Sequence, residues 1–234
     1  MTRPALIMTR PAPASQRFID GIRPDVQAKV ALIISPLLKI SSTGADVDMA
    51  PYAGAIFTSA NGVDHAGPGN GSPAYCVGSR TAEMARKRGW DASISGQTAE
   101  ELIQNLANAM PAAPLVHIGG VHQRGDIAAR LTTAGLHTNS IAVYDQQLLP
   151  LSAQAQKALS SGTPCIVPLF SPRTAMQFAA ECADMQNTVI IALSNAVALH
   201  LAGYDTKKLL IAGEPSAAAM HIALETAVDW ITLP

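Results

Sequence analysis

Two stretches decide how this chain is organised: Phe57-Thr58-Ser59-Ala60-Asn61-Gly62 and Leu169-Phe170-Ser171-Pro172-Arg173-Thr174. Each follows a short apolar run of strand character, and Ser171 stands 112 positions after Ser59. The echo continues in register. Tyr75-Cys76-Val77-Gly78-Ser79-Arg80-Thr81 runs into Ala82 to Arg88 and stops at Gly89, while Ile190-Ile191-Ala192-Leu193-Ser194-Asn195 runs into Ala196 to Ala202 and stops at Gly203. Gly96-Gln97-Thr98-Ala99-Glu100-Glu101-Leu102 is answered by Gly213-Glu214-Pro215-Ser216-Ala217-Ala218-Ala219-Met220. The offset is 115 from Ser79 to Ser194 and 118 from Thr98 to Ser216. Offsets this nearly constant predict two similar α/β units, and a chain of two like halves is expected to hold a small molecule in the cleft between them.

Outward from these stretches, short apolar runs alternate with helical segments, the pattern of parallel sheets with crossover helices. Strands are expected at residues 5–8, 29–35, 54–58, 74–77, 115–118, 137–144, 165–169, 188–193 and 208–212. Helices are expected at 12–21, 81–88, 98–109, 123–134, 153–160, 171–183, 195–202 and 216–228. Thr98 with Glu101 forms a capping box, in which the hydroxyl accepts from the Glu101 amide and the carboxylate returns to the Thr98 amide. Gly89, Gly135 and Gly203 supply left-handed residues at helix ends. Gly67-Pro68-Gly69-Asn70-Gly71-Ser72-Pro73 reads as flexible loop and leaves room for barely two turns of helix after Ser59.

Residues 34–44 and 142–151 look like crossings between the units. The second unit is then inserted into the first: residues 1–36 with 149–234 form one α/β domain, and 37–148 form the insert. Motion about the two crossings would open and close the cleft.

Composition narrows the function. Charged residues are 14% of the chain and the net charge is −1, so no nucleic-acid or anionic-membrane surface is held by bulk charge. The cysteines, Cys76, Cys165 and Cys182, are odd in number and lack metal-type spacing, which fits reduced thiols and a cytoplasmic protein. Residues 5–8 are too short an apolar run for a signal peptide, and no run approaches the ~18 residues of a membrane span. No GxSxG elbow, Walker loop or GxGxxG is present, and the histidines form no metal set.

In a parallel sheet, the loops after the strands line the ligand crevice. Here they carry Thr9-Arg10, Thr58-Ser59, Gly78 to Thr81, Thr98, Gly119-Gly120, Ser171-Pro172-Arg173, Ser194-Asn195 and Ser216. Helix starts expose unpaired amides and about half a positive charge, so several together can bind carboxylates in a neutral protein. Ser, Thr and Asn are equally the ordinary caps of any helix, each contributing about 1 kcal/mol whether or not a ligand exists. Tyr144 closes an apolar strand at the second crossing. A phenol is protonated at neutral pH and can act as an acid toward a departing hydroxyl, although a tyrosine there can also serve only to pack a hinge.

Taken together, Thr9-Arg10-Pro11, Phe57 to Val63, Val77 to Ala82 followed by Gly89, Thr98 with Glu101-Leu102, Val143-Tyr144 and Phe170-Ser171-Pro172 resemble the uroporphyrinogen-III synthase family along essentially the whole chain. The resemblance implies two α/β domains joined by a two-stranded connection. It also implies a lyase that needs no cofactor and no metal, works in porphyrin and heme biosynthesis, and acts as a cytoplasmic monomer. The implied substrate is the linear tetrapyrrole hydroxymethylbilane, cyclised with inversion of ring D and loss of water through an azafulvene and a spiro intermediate. Tyr144 matches the family's tyrosine that assists departure of the hydroxyl. Arg10, Ser59, Gly78, Thr81, Ser171, Ser194 and Ser216 match positions that bind substrate. The short glycine-rich loop after Asp64 and the acid in Glu214-Pro215-Ser216 depart from the family pattern. A non-catalytic tetrapyrrole- or anion-binding sensor of the same fold is the alternative. A sugar- or amino-acid-binding protein would need stacking aromatics, which are only 4% of the chain.

Overall fold

The computed structural model describes residues 3–123, 125–182 and 184–232. In chain order the elements are β1 (Ala5–Met8), α1 (Ala12–Asp20), α2 (Pro24–Gln27), β2 (Ala31–Ile34), β3 (Leu38–Ser42), β4 (Gly54–Phe57), α3 (Ala60–His65), β5 (Pro73–Val77), α4 (Ser79–Lys87) and β6 (Asp91–Gly96). They continue with α5 (Ala99–Ala109), β7 (Leu115–Gly120), α6 (Ile127–Thr133), β8 (Thr138–Leu148), α7 (Ala153–Ser160), β9 (Cys165–Leu169) and α8 (Pro172–Glu181). The chain ends with β10 (Thr188–Ala192), α9 (Asn195–Ala198) running into a 3₁₀ turn at Leu199–Leu201, β11 (Lys208–Ile211) and α10 (Ala217–Thr232). Two compact units result, Met1–Lys39 with Leu148–Pro234 as unit 1 and Ile40–Gln147 as unit 2.

Unit 1 has a parallel sheet in the order β11-β10-β9-β1-β2. Its inner strands read as unbroken apolar runs because helices cover both faces. Ile7, Val167, Leu169 and Ile190 pack with Phe178 of α8 and Val197 of α9 on one face. Leu6, Met8, Ile166 and Ile191 pack with Phe18 of α1 and Leu224 and Val228 of α10 on the other. The sole proline within these inner strands is Pro168. The β1–β9 ladder pairs only Ala5 with Cys165 and Leu6 with Ile166, stopping short of Pro168, which has no amide proton to offer.

Unit 2 has the order β3-β8-β7-β4-β5-β6, with β8, β7, β4, β5 and β6 parallel. Strand β3 runs antiparallel to β8, as the bonds from Thr43 N to Val143 O and from Leu149 N to Leu37 O require. This sheet is therefore mixed, not wholly parallel as the alternation of the sequence predicts. Ala55, Phe57, Val116 and Ile118 pack against α3 and α4 on one face, while Ile56 and Leu115 pack against α5 and α6 on the other. Full burial of a side chain such as Phe57 stabilises the fold by about 2–3 kcal/mol.

The internal echo corresponds to repeated backbone. Ser59 (φ −154°, ψ 153°) and Ser171 (φ −153°, ψ 151°) cap α3 and α8 in the same conformation. Thr98 and Ser216 accept from the amides three residues on. Gly89, Gly135 and Gly203 have the left-handed φ values expected of them, +80°, +93° and +95°.

Other details differ from expectation. The Glu101 carboxylate bonds the amide of Gln97, not that of Thr98, so the capping box closes one residue further out. Helix α4 starts two residues early, α6 starts at Ile127 and not at 123, and α9 is one turn extended by the 3₁₀ turn. The expected end of α8 at Ala183, and Arg124 within the expected span of α6, lie outside the described residues. Strands β3 and β6 and helix α2 were not expected. The glycine-rich loop is tied down by Gly69 N to Arg88 O (2.9 Å), Gly71 N to Gly89 O (2.7 Å) and Asp91 N to Ser72 O (2.9 Å). Among the described residues no helix is long and apolar enough to cross a membrane.

Candidate active site

In unit 2 the chain leaves β4 to build β5 and β6, then crosses back to build β7 and β8 on the other side, so strand order reverses between β4 and β7. Ligand crevices of open α/β sheets form at such a reversal, outside the carboxyl ends of the strands. Ser59 follows β4 there and caps α3. Its Oγ lies 3.3 Å from the Tyr144 hydroxyl and 3.4 Å from the Gly62 amide.

Helix α3 can approach β7 because Gly62 has no side chain, since a β-carbon would fall 2.6 Å from the Ile118 carbonyl oxygen. Gly120 plays the same part for the phenol, as a β-carbon there would sit 2.7 Å from two ring carbons of Tyr144. The far end of α3 carries His65, whose Nδ1–H donates to the Asn61 carbonyl at 2.9 Å and whose ring centroid is 5.7 Å from that of Tyr144.

Tyr144 reaches this face through a bulge. Gly119 pairs with Ala142 but Gly120 pairs with Tyr144, leaving Val143 as an extra residue in β8. Without it, strand alternation would set Tyr144 opposite Val143; with it, both join the core beneath α3 and α4.

The other face carries Thr58 and His117, with Oγ1 and Nε2 3.4 Å apart. His117 is buried, and its Nδ1 has no hydrogen-bond partner. Burial pushes its pKa down to about 4, against a smaller opposing influence of the Gln123 side chain. The ring is neutral at pH 7 and offers no positive charge to a carboxylate.

In unit 1 the order reverses between β1 and β9, where the ladder opens above Pro168. Thr9, fully buried, donates its hydroxyl to the Pro168 carbonyl at 3.3 Å. The Arg10 guanidinium lies 4.4 Å from the centroid of the Phe170 ring, a cation–π contact, and the Arg10 carbonyl accepts from Ser15 Oγ at 2.8 Å. Ser171 accepts from the Thr174 amide at 3.1 Å and shares a hydrogen bond with the Thr174 hydroxyl at 2.9 Å. Both reversal points thus carry a hydroxyl residue that caps the next helix. Among the described residues no group of three or more His, Cys, Asp or Glu side chains could hold a metal ion.

A family model described as Uroporphyrinogen-III synthase HemD matches residues 27–221, which span most of unit 1 and all of unit 2. The chain belongs to the uroporphyrinogen-III synthase family. Among solved structures, the uroporphyrinogen-III synthetase of Helicobacter pylori 26695 is similar with a TM-score of 0.69 and 19% identity, covering 97% of this chain and 99% of that one. A mutant uroporphyrinogen III synthase of the extremely thermophilic bacterium Thermus thermophilus is similar with a TM-score of 0.52 and 10% identity over 97% and 99% of the two chains. At these identities the likeness is one of fold. No curated protein sequence matches the chain.

Of the residues that resemblance to uroporphyrinogen-III synthases singles out, Ser59 and Tyr144 meet directly, and Arg10 and Ser171 flank one reversal point. The others stand at the starts of other helices. Gly78 caps α4 with φ +74°, and a β-carbon there would meet nothing nearer than Gln97 Oε1 at 3.9 Å. The first bond of that helix runs from Ala82 N to Gly78 O, which leaves the amides of Ser79, Arg80 and Thr81 outside the helical ladder. Thr81 lies within the first turn with its side chain buried, not at a strand end. Ser194 caps the one-turn α9 without a side-chain bond to it. Ser216 donates to Glu214 Oε1 at 2.7 Å and accepts from the Ala219 amide, so its hydroxyl is already engaged by an acid. Gly120 stood out only through the Gly119-Gly120 pair after an expected strand, and His65, His117 and the bulge at Val143 had no distinguishing signal in the sequence.

Proposed function

We propose that this chain cyclises hydroxymethylbilane to uroporphyrinogen III, with Tyr144 delivering the proton that lets the terminal hydroxyl leave as water. The observation that carries the role of Tyr144 is its 3.3 Å contact with Ser59 at the strand reversal of a uroporphyrinogen-III synthase fold. With Ser59 donating to the phenol oxygen, the hydroxyl proton of Tyr144 is free to point at the leaving oxygen. The same donation stabilises the phenolate that forms as the proton is given up. General acid assistance of this kind contributes about 10²- to 10⁴-fold.

Loss of water leaves an azafulvene, which the substituted carbon of ring D attacks to give the spiro intermediate; fragmentation and recombination invert the ring. The final closure releases a proton from a pyrrole carbon, and the phenolate takes it back. No cofactor enters the balance. Most of the remaining effect is positioning, since the linear chain of rings closes unaided to the uninverted isomer.

The substrate's carboxylates are met by backbone amides at helix starts, notably after Gly78, and by the side chains of Arg10 and Ser171. Thr81 contributes through its amide, because its hydroxyl side chain is buried. Ser194 offers a hydroxyl that its own helix does not use. Ser216 contributes only if Glu214 releases it. The same reading takes the protein as a cytoplasmic monomer that binds no nucleic acid, which its near-neutral charge supports.

The test is the isomer composition of uroporphyrinogen formed from freshly generated hydroxymethylbilane, separated after oxidation. Predominantly isomer III in the presence of the protein is the expected result. An unchanged excess of isomer I with folded protein would contradict it and favour a binding module of the same fold.

A further inference from the structure

Tyr144 is held by both ends of a single short helix. Ser59, the cap of α3, meets the phenol hydroxyl, and His65, its last residue, lies beside the phenol ring with centroids 5.7 Å apart and planes inclined at 40°. His65 is itself fixed in place. Its Nδ1–H donates to the Asn61 carbonyl one turn back, which fixes the direction of the ring. Gly62, between these ends, lets the helix lie against the Ile118 carbonyl, so α3 sits at one height over β7.

Tyr144 pairs with Gly120 just beyond the bulge and is buried in the core beneath α3 and α4. Its ring lies close over Gly120, where a β-carbon would collide with it. Within that packing, α3 supplies both the partner of the phenol hydroxyl, Ser59, and a ring beside the phenol, His65.

We propose that His65 is a positioning residue for the reaction: its ring holds the Tyr144 phenol so that the hydroxyl meets Ser59 and faces the leaving group. The inference rests on the assignment of Tyr144 as the proton donor. His65 acts through the phenol and need not touch substrate. Removing its ring lets the phenol turn, which lowers the fraction of molecules poised for proton transfer without weakening the binding of carboxylates elsewhere.

The experiment is a double-mutant cycle on kcat with His65→Ala, Tyr144→Phe and the double variant, each corrected for its folded fraction by thermal unfolding. His65→Ala alone is expected to lower kcat about tenfold with KM unchanged, the scale of one aromatic contact. Added to Tyr144→Phe it should cost nothing further, because the hydroxyl it positions is gone. His65→Phe, which keeps a ring, should restore most of the turnover.

An equal loss from His65→Ala in both backgrounds would overturn the proposal, since a merely structural role damages both alike. Unchanged kcat in His65→Ala would overturn it as well. Wild-type turnover in Tyr144→Phe alone would instead remove the proton-donor assignment on which the proposal rests, so the two failures are distinct. If His65→Ala does not fold, His65→Gln takes its place and carries the same expectations.

Discussion

The hydroxyl of Tyr144 lies 3.3 Å from Ser59 Oγ, tying β8 to the cap of α3 across the strand reversal of unit 2. Ser59 has two separable duties there, capping and donating. Ser59→Ala loses both and should lower stability by about 1 kcal/mol, whereas Ser59→Gly should lower it by only a few tenths. Both variants lose the bond to a developing phenolate and should lose turnover by about tenfold or more. Thermal unfolding and kcat measured on the pair separate the two; turnover that tracks stability would assign Ser59 to capping alone.

Gly120→Ala tests the packing of the phenol. A β-carbon at Gly120 falls 2.7 Å from Tyr144 Cε2 and Cζ and 3.1 Å from its hydroxyl, and the strand backbone beneath cannot yield easily. The ring must turn, at a cost in stability of about 1–3 kcal/mol. Turnover should fall much more than the folded fraction does, as an assay at a temperature where the variant is fully folded will read.

His117 gives stability a pH dependence. Its folded pKa is about 4 against an ordinary 6.5, lowered first by burial, so between these values the unfolded chain binds the extra proton. The stability gained by keeping the ring neutral is fully present above pH 6.5 and is lost as pH falls toward 4, by up to about 3 kcal/mol. In denaturant unfolding across this range, the stability of wild type minus that of His117→Leu should fall as the pH drops from 6.5 toward 4. A constant difference would contradict the burial of an uncharged ring.

The thiols of Cys76 and Cys165 are each pushed up to about 11, chiefly by burial, and that of Cys182 is raised for the same reason. Thiolate is the reactive form, so the folded protein should resist iodoacetamide at pH 7.5. All three cysteines should react once the chain is denatured. Rapid alkylation of folded protein would show that the cores around them open.

Much of the fold was legible because the inner strands are covered on both faces. Runs such as Ala5-Leu6-Ile7-Met8 and Cys165-Ile166-Val167 have no polar face to confuse them with other structure. The edge strands of unit 2 were not legible for the complementary reason. β3 and β6 mix exposed Lys39 and Asp91 with buried Leu38 and Ala92, and α2 is a single turn.

The site was legible where it depends on local chemistry, as in the hydroxyl caps Ser59 and Ser171. It was not where it depends on pairing. Alternation along β8 would have placed Tyr144 on the face opposite Val143, and only the slip between Gly119 and Gly120 sets both on one face. His65 and His117 become site residues through partners 79 and 59 positions away in the chain, Tyr144 and Thr58. No local pattern announces such pairs. Thr81 illustrates the converse: its position after a strand suggested an exposed hydroxyl, but α4 begins at Ser79 and turns that side chain inward.

The most direct test of the account is the turnover of Tyr144→Phe measured beside its affinity for a non-reacting linear or cyclic tetrapyrrole. Proton delivery by the phenol predicts turnover about 10²-fold or more below wild type, with affinity and unfolding temperature essentially unchanged. Wild-type turnover in the folded variant would contradict the account and remove the phenol from the reaction.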